Sequence, residues 1–83
     1  MIIRYYAWLR EKLARSEDDV SPPKQVVTVA DLLAWLGQRD SVLGEAVKDL
    51  RALRVALDDK IVPFTTNLGA ASVVALFPPM TGG

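Results

Sequence analysis

The chain has 83 residues, enough for one small domain; 51% are apolar and 24% charged, the balance of a globular protein. Ten basic side chains offset ten acidic ones, so no bulk charge draws the chain to nucleic acid or anionic lipid. The absence of Cys and His removes disulfides, the usual metal ligands and the usual general base, which argues against a self-sufficient hydrolase or a zinc site.

The β-branched and aromatic run Ile2–Trp8 predicts a first strand. Leu9 and Leu13, four apart, predict a short helix over Leu9–Ala14. Ser16–Pro23 reads as a loop, and Lys24–Val27 as a short second strand at a sheet edge. Thr28 then opens the clearest helix, with Asp31 placed for a capping box. Val29, Leu32, Leu33 and Leu36 form its apolar stripe, and Gly37 is placed to end it. Val42–Leu50 is a second amphipathic stretch, capped by Asp40 or Ser41. Ala52–Leu57 alternates as a third strand; Asp58-Asp59 makes a turn into Ile61-Val62, which Pro63 ends. After a loop over Thr65–Ala71, Ser72–Phe77 is apolar at almost every position and predicts a strand in the centre of the sheet. The order predicts an α+β domain, a mixed sheet with a helix packed across one face.

The last 23 residues, Ile61–Gly83, carry no charged side chain. Pro63, Asn67, Gly69 and Pro78-Pro79 interrupt them, so no membrane span of about 20 apolar residues is expected. Arg4 and Arg10-Glu11-Lys12 leave no apolar signal core near the start, which makes the cytoplasm the expected compartment. Residues 78–83 predict an extended tail. Pro78 and Pro79 stiffen its base, and Gly82 and Gly83 form a flexible tip slim enough to thread a narrow slot. Such a tip can bring a terminal carboxylate to a distant catalytic centre; two glycines are equally what a frayed chain end tolerates.

The terminal run Phe77-Pro78-Pro79-Met80-Thr81-Gly82-Gly83 resembles the small, sulfur-carrying subunits of molybdopterin synthase, a ubiquitin-like β-grasp family. Tyr6-Ala7-Trp8-Leu9-Arg10-Glu11, and Thr28-Val29 leading into the leucine stripe, support the resemblance. Asp58 stands where the family often has Asn, Leu68-Gly69-Ala70-Ala71 where it often has Asp-Gly-Asp, and Tyr5-Tyr6 where Phe-Phe is usual.

The resemblance implies a β-grasp carrier that is not a catalyst on its own. Its Gly83 carboxylate would be adenylated by an E1-like adenylyltransferase that uses ATP in trans. A sulfur donor such as a cysteine desulfurase would convert it to a thiocarboxylate. The tail, Pro78 to Gly83, would then enter the large subunit of molybdopterin synthase, in a heterotetramer, and deliver sulfur to a cyclic pyranopterin precursor. No cofactor, metal, nucleic acid or membrane is implied. By position in the family pattern, Tyr6, Ile61 and Phe77 would form the partner interface, with Tyr6 on the first strand; ordinary core burial is the competing expectation for each.

A carrier for thiazole synthesis or tRNA thiolation shares the same terminal chemistry, and a non-covalent β-grasp interaction module uses none of it. Asp18-Asp19 and Asp58-Asp59 read as solvated turns rather than cation sites. Trp8 and Trp35 read as packing residues, and Lys12, Lys24, Lys48 and Lys60 as surface.

Overall fold

The computed structural model describes residues 1–79. Strand β1 (Ile2–Tyr5) leads into helix α1 (Ala7–Leu13) and strand β2 (Glu17–Asp19). Helices α2 (Val29–Arg39) and α3 (Ser41–Ala46) follow, then a single 3₁₀ turn at Leu50–Ala52 and strands β3 (Arg54–Leu57), β4 (Lys60–Val62) and β5 (Val73–Phe77). The strands form one sheet in the order β2-β1-β5-β3-β4, with β1 and β5 parallel and the other neighbours antiparallel. The mixed sheet and its helix-covered face are those the chain order predicts.

Helix α2 starts as its sequence dictates. Thr28 Oγ1 accepts from the Asp31 amide at 3.1 Å, and Asp31 Oδ2 accepts from the Thr28 amide at 3.0 Å, a complete capping box. The next two amides, of Val29 and Ala30, donate to the carbonyls of Thr66 and Phe64, both at 2.9 Å. Helix and uncharged loop thus satisfy one another's backbone groups. Val29, Leu32, Leu33 and Leu36 are all buried, packed with Ile3, Tyr5, Leu9, Leu43, Leu53, Val55, Val74 and Leu76 into one core.

Several expectations need correction. The second strand is Glu17–Asp19, not Lys24–Val27. Its charged residues pair with β1 through Ile2↔Asp19, Ile3↔Asp18 and Arg4↔Glu17, and charge suits an edge strand because it discourages further pairing. After Pro22-Pro23 the chain turns instead, with the Val26 amide donating to the Pro23 carbonyl at 3.0 Å. Asp18-Asp19 therefore lies in a strand and not in a turn.

Gly37 does not end its helix, which runs on to Arg39. Its role is close approach: a Cβ on Gly44 of α3 would lie 2.9 Å from the Gly37 carbonyl oxygen. The second amphipathic stretch is helical only from Ser41 to Ala46, capped by Asp40, and β3 starts two residues later than expected, at Arg54. The first strand ends at Tyr5, and α1 begins at Ala7 rather than Leu9. Ala7 and Ala14, at the start and C-cap of α1, both hold left-handed backbone, with φ of 54° and 57°, where glycine is the unstrained residue.

Strand β5 is central, as expected, but the helices cover only one of its faces. Val74 and Leu76 are fully buried, whereas Val73, Ala75 and Phe77 are half-buried on the opposite face. An apolar run on both faces of a central strand thus leaves one face open, and the candidate site lies there.

Candidate functional site

Strand alternation sets the membership of the open face. Ile3, Tyr5, Val55, Val74 and Leu76 point into the core. The residues between them, Ile2 and Arg4 on β1, Val73, Ala75 and Phe77 on β5, and Arg54 and Ala56 on β3, therefore face outward. The register aligns Arg4, Ala75, Ala56 and Ile61 in one rung across the sheet, and sets Phe77 beside Arg54.

The three residues expected at the partner interface meet on this face. Tyr6, Ile61 and Phe77, with Ala56, Ala75, Asp59 and Pro78, line an open hollow of about 440 Å³. Ile61 is 70% exposed and Tyr6 42%, values at which a large apolar side chain gains little from the fold. Core burial is therefore not the role of either.

Tyr6 is not on the first strand. It is the residue before α1, in extended conformation, and its amide still donates to the Leu76 carbonyl at 3.2 Å. That bond carries the pairing of β1 with β5 one residue further, and Tyr6 and Phe77 line the same hollow. Ile61 lies in β4 and Phe77 ends β5, both as expected.

Pro78 continues from β5 at the rim of the hollow, so the base of the tail leaves from this open face. Pro79 follows, half-buried. Met80, Thr81, Gly82 and Gly83, which carry the expected chemistry, lie outside the described residues. Sequence reasoning missed Ala56 and Ala75, which the alternation of their strands could have assigned to the outer face, and Asp59, for which the sequence offers no local signal.

The helical side holds a different kind of cluster. Arg15 Nε donates to Asp18 Oδ1 and Arg15 Nη2 to Asp40 Oδ2, both at 2.8 Å, while the Tyr5 hydroxyl donates to Asp18 Oδ2 at 2.6 Å. Asp40 Oδ1 also accepts from the Val42 amide at 2.8 Å, capping α3. One guanidinium thus ties β2 to the junction of α2 and α3. The Arg15 hydrogen bonds hold both carboxyls below the ordinary carboxylate value of 3.8, against an opposing effect of desolvation. Burial, then the hydrogen bond to Asp18, pushes the Tyr5 phenol upward.

The sign follows from linkage. Carboxyls whose folded pKa is depressed contribute stability that is full above about pH 4 and is lost as pH falls through the folded values. The wild-type melting temperature is expected to fall as acid is added below about pH 4. Arg15→Ala should lower it at neutral pH and flatten that acid slope. Because these side chains are partly exposed, the effect is modest. Thermal melts between neutral and acid pH, wild type against variant, check both; parallel curves would assign the slope to other groups.

The fold and site can be set against known proteins. Among curated proteins no relative matches. Among solved structures, SAMP1 from Haloferax volcanii superposes with a TM-score of 0.78 at 24% identity, over 100% of this chain and 98% of that one. A candidate molybdopterin converting factor, subunit 1, from Pyrococcus furiosus superposes with a TM-score of 0.72 at 23% identity, over 95% of each chain. Likenesses at this identity establish the fold, the ubiquitin-like β-grasp. The model of the ThiS family matches residues 3–83, the length of the domain together with its Gly-Gly end. The chain belongs to the ThiS family of small ubiquitin-like sulfur carriers.

Proposed function

We propose that the chain carries sulfur as a thiocarboxylate on Gly83 and delivers it to the cyclic pyranopterin precursor of molybdopterin, inside the large subunit of molybdopterin synthase. The observation that carries this reading is the placement of Pro78, the base of the tail, on the rim of an uncovered apolar hollow lined by Tyr6, Ile61 and Phe77. A protein that covers the hollow receives the tail from the same edge. The Phe-Pro-Pro base at Phe77-Pro78-Pro79 and the name of the Pyrococcus furiosus neighbour favour the molybdopterin acceptor over thiazole or tRNA.

A carboxylate is a poor electrophile, and the proposed route corrects this in two steps. The Gly83 carboxylate oxygen attacks the α-phosphorus of ATP on an E1-like enzyme, pyrophosphate leaves, and an acyl-adenylate forms. Sulfur then attacks the carbonyl carbon and AMP departs. It arrives as sulfide, or as a cysteine desulfurase persulfide whose S–S bond a second thiol afterwards reduces. The catalytic groups reside on the partners, in keeping with a chain that has neither His nor Cys.

Mass spectrometry tests the reading. Incubation with the activating enzyme, ATP and a sulfur donor is expected to add about 16 Da, the exchange of one oxygen for sulfur at an activated acyl group. An unchanged mass, under conditions that convert a known carrier, overturns it. Adding the synthase large subunit and the cyclic precursor should then yield molybdopterin; sulfur appearing only in thiazole or tRNA would reassign the acceptor.

A further inference from the structure

Two residues, Asp58 and Asp59, join β3 to β4 beyond the Leu57↔Lys60 pair. Both have left-handed backbone, with φ of 46° and 73°. A two-residue hairpin loop with positive φ at both positions favours Asn-Gly or Asp-Gly, and a side chain at the second position adds strain that glycine avoids. Asp58 has a structural reason to be there. Its Oδ1 accepts from the amides of Ser72 and Val73 at 3.0 and 2.9 Å, tying the turn to the start of β5.

Asp59 has no such reason. It is exposed, and among the described residues its carboxylate has no hydrogen bond or ion pair. Lys60 gives it no partner, since alternation sets Lys60 on the opposite face from Ile61. Asp59 does, however, line the apolar hollow with Tyr6, Ile61 and Phe77. The turn adjoins Val73, where β5 begins, so Asp59 stands at the end of the hollow away from Pro78. At the tail end Arg54 is exposed beside Phe77, its Nη1 donating to the Leu53 carbonyl at 2.8 Å and its charge without an acidic partner among the described residues. Arg4, in the middle rung, is paired with Glu17 at 3.8 Å, so among the described residues the charges of this face without an ion pair are an anion at the far end, Asp59, and a cation where the tail leaves, Arg54.

We propose, on the reading that this face receives the synthase large subunit, that Asp59 is the recognition charge for it. It is kept in a strained position for a Lys or Arg of the protein that covers the hollow. Apolar contact alone leaves a flat sheet face free to bind in several registers. A charge at each end selects the one that points the tail into the partner, and speeds encounter. The occupant so described presents an apolar centre with a base facing Asp59 and an acid facing Arg54.

The test is binding of the full chain to two proteins, the synthase large subunit and the activating enzyme, by calorimetry at low and high salt. Asp59→Gly should melt about 4 °C or more above wild type, because it relieves the backbone, yet bind about tenfold more weakly. Asp59→Asn should lose a similar factor and part of the salt dependence, the Arg54 pair keeping the rest; Asp59→Lys should lose about a hundredfold. Ala14→Gly, which relieves the same kind of strain away from the hollow, should also melt higher but bind as wild type. Losses against the large subunit support the proposal; a loss confined to the activating enzyme, with wild-type affinity for the large subunit, overturns it. Wild-type affinity in Asp59→Lys, or an unchanged salt slope in Asp59→Asn, overturns it while leaving the carrier function intact. So does a concentration-dependent dimer that occupies this face in place of either protein. A wild-type chain that binds neither protein and gains no thiocarboxylate mass refutes the carrier function itself, and this proposal with it.

Discussion

Deleting Gly83, or adding one residue after it, is expected to abolish sulfur transfer and leave the fold unchanged. Either change moves the terminal carbon by one residue along an extended chain, about 3.5 Å. Misplacing a reacting atom by even about 1 Å costs on the order of a hundredfold in rate, so transfer should fall by at least that factor. Stability should not follow. Among the described residues, the buried hydrophobic core runs from Ile3 to Leu76, and the capping box and the Arg15 cluster both lie before Asn67. The melting temperature is therefore expected to stay within about 4 °C of wild type, the shift of a change below 1 kcal/mol in a domain this small. The checks are intact mass after activation, sulfur delivery to the precursor, and a thermal melt on the same samples. A Gly83-deleted chain that still gains about 16 Da and delivers sulfur would remove the terminus from the mechanism; a melt that fell with activity would give the tip a structural role.

What could be read from the sequence was what short-range chemistry decides. Thr28, Asp31 and the Val29–Leu36 stripe specify a cap and a buried helical face within nine residues, and the structure has both. The strand β2 could not be read this way. Glu17, Asp18 and Asp19 have low strand propensity, and they are extended because β1 lies alongside, a pairing made across the α1 turn. Gly37 was ambiguous for another reason. A glycine that ends a helix and one that lets a second helix approach look the same until the Gly44 contact is seen.

The site divides along the same line. Phe77 and Pro78 announce themselves because they adjoin the tail in sequence, and Tyr6 and Ile61 are expected beside them only by their positions in the family pattern. Ala56 and Ala75 are unremarkable as letters; only the sheet register sets them at the floor of the hollow. Asp59 becomes visible through its backbone angle, which no sequence pattern carries. The run Ser72–Phe77 shows how one pattern serves two purposes. Apolar residues on both faces of a strand predict complete burial, and within this chain only Val74 and Leu76 achieve it. The half-buried set is what the chain itself leaves uncovered.

That division sits between two adjacent residues, and their alanine variants should separate. Leu76 is fully buried in the core, whereas Phe77 faces the hollow and is half-buried. Leu76→Ala removes core packing and leaves a cavity, a change that costs about 2–5 kcal/mol. Against a total stability of about 4–12 kcal/mol for a chain of this length, the melting temperature should drop by about 10 °C or more. Phe77→Ala should do the reverse. Its lost contacts are chiefly those a partner would make, so binding to the synthase large subunit should weaken by about 2 kcal/mol or more, about thirtyfold in Kd. The fold loses only the part of the ring that is already covered, and its melt should move much less than that of Leu76→Ala. Calorimetric Kd values and thermal melts on both variants decide the matter. If Phe77→Ala bound as tightly as wild type, the ring would belong to the fold alone and the docking face would have to lie elsewhere. If Leu76→Ala bound weakly while melting normally, the two faces of β5 would have been assigned the wrong way round.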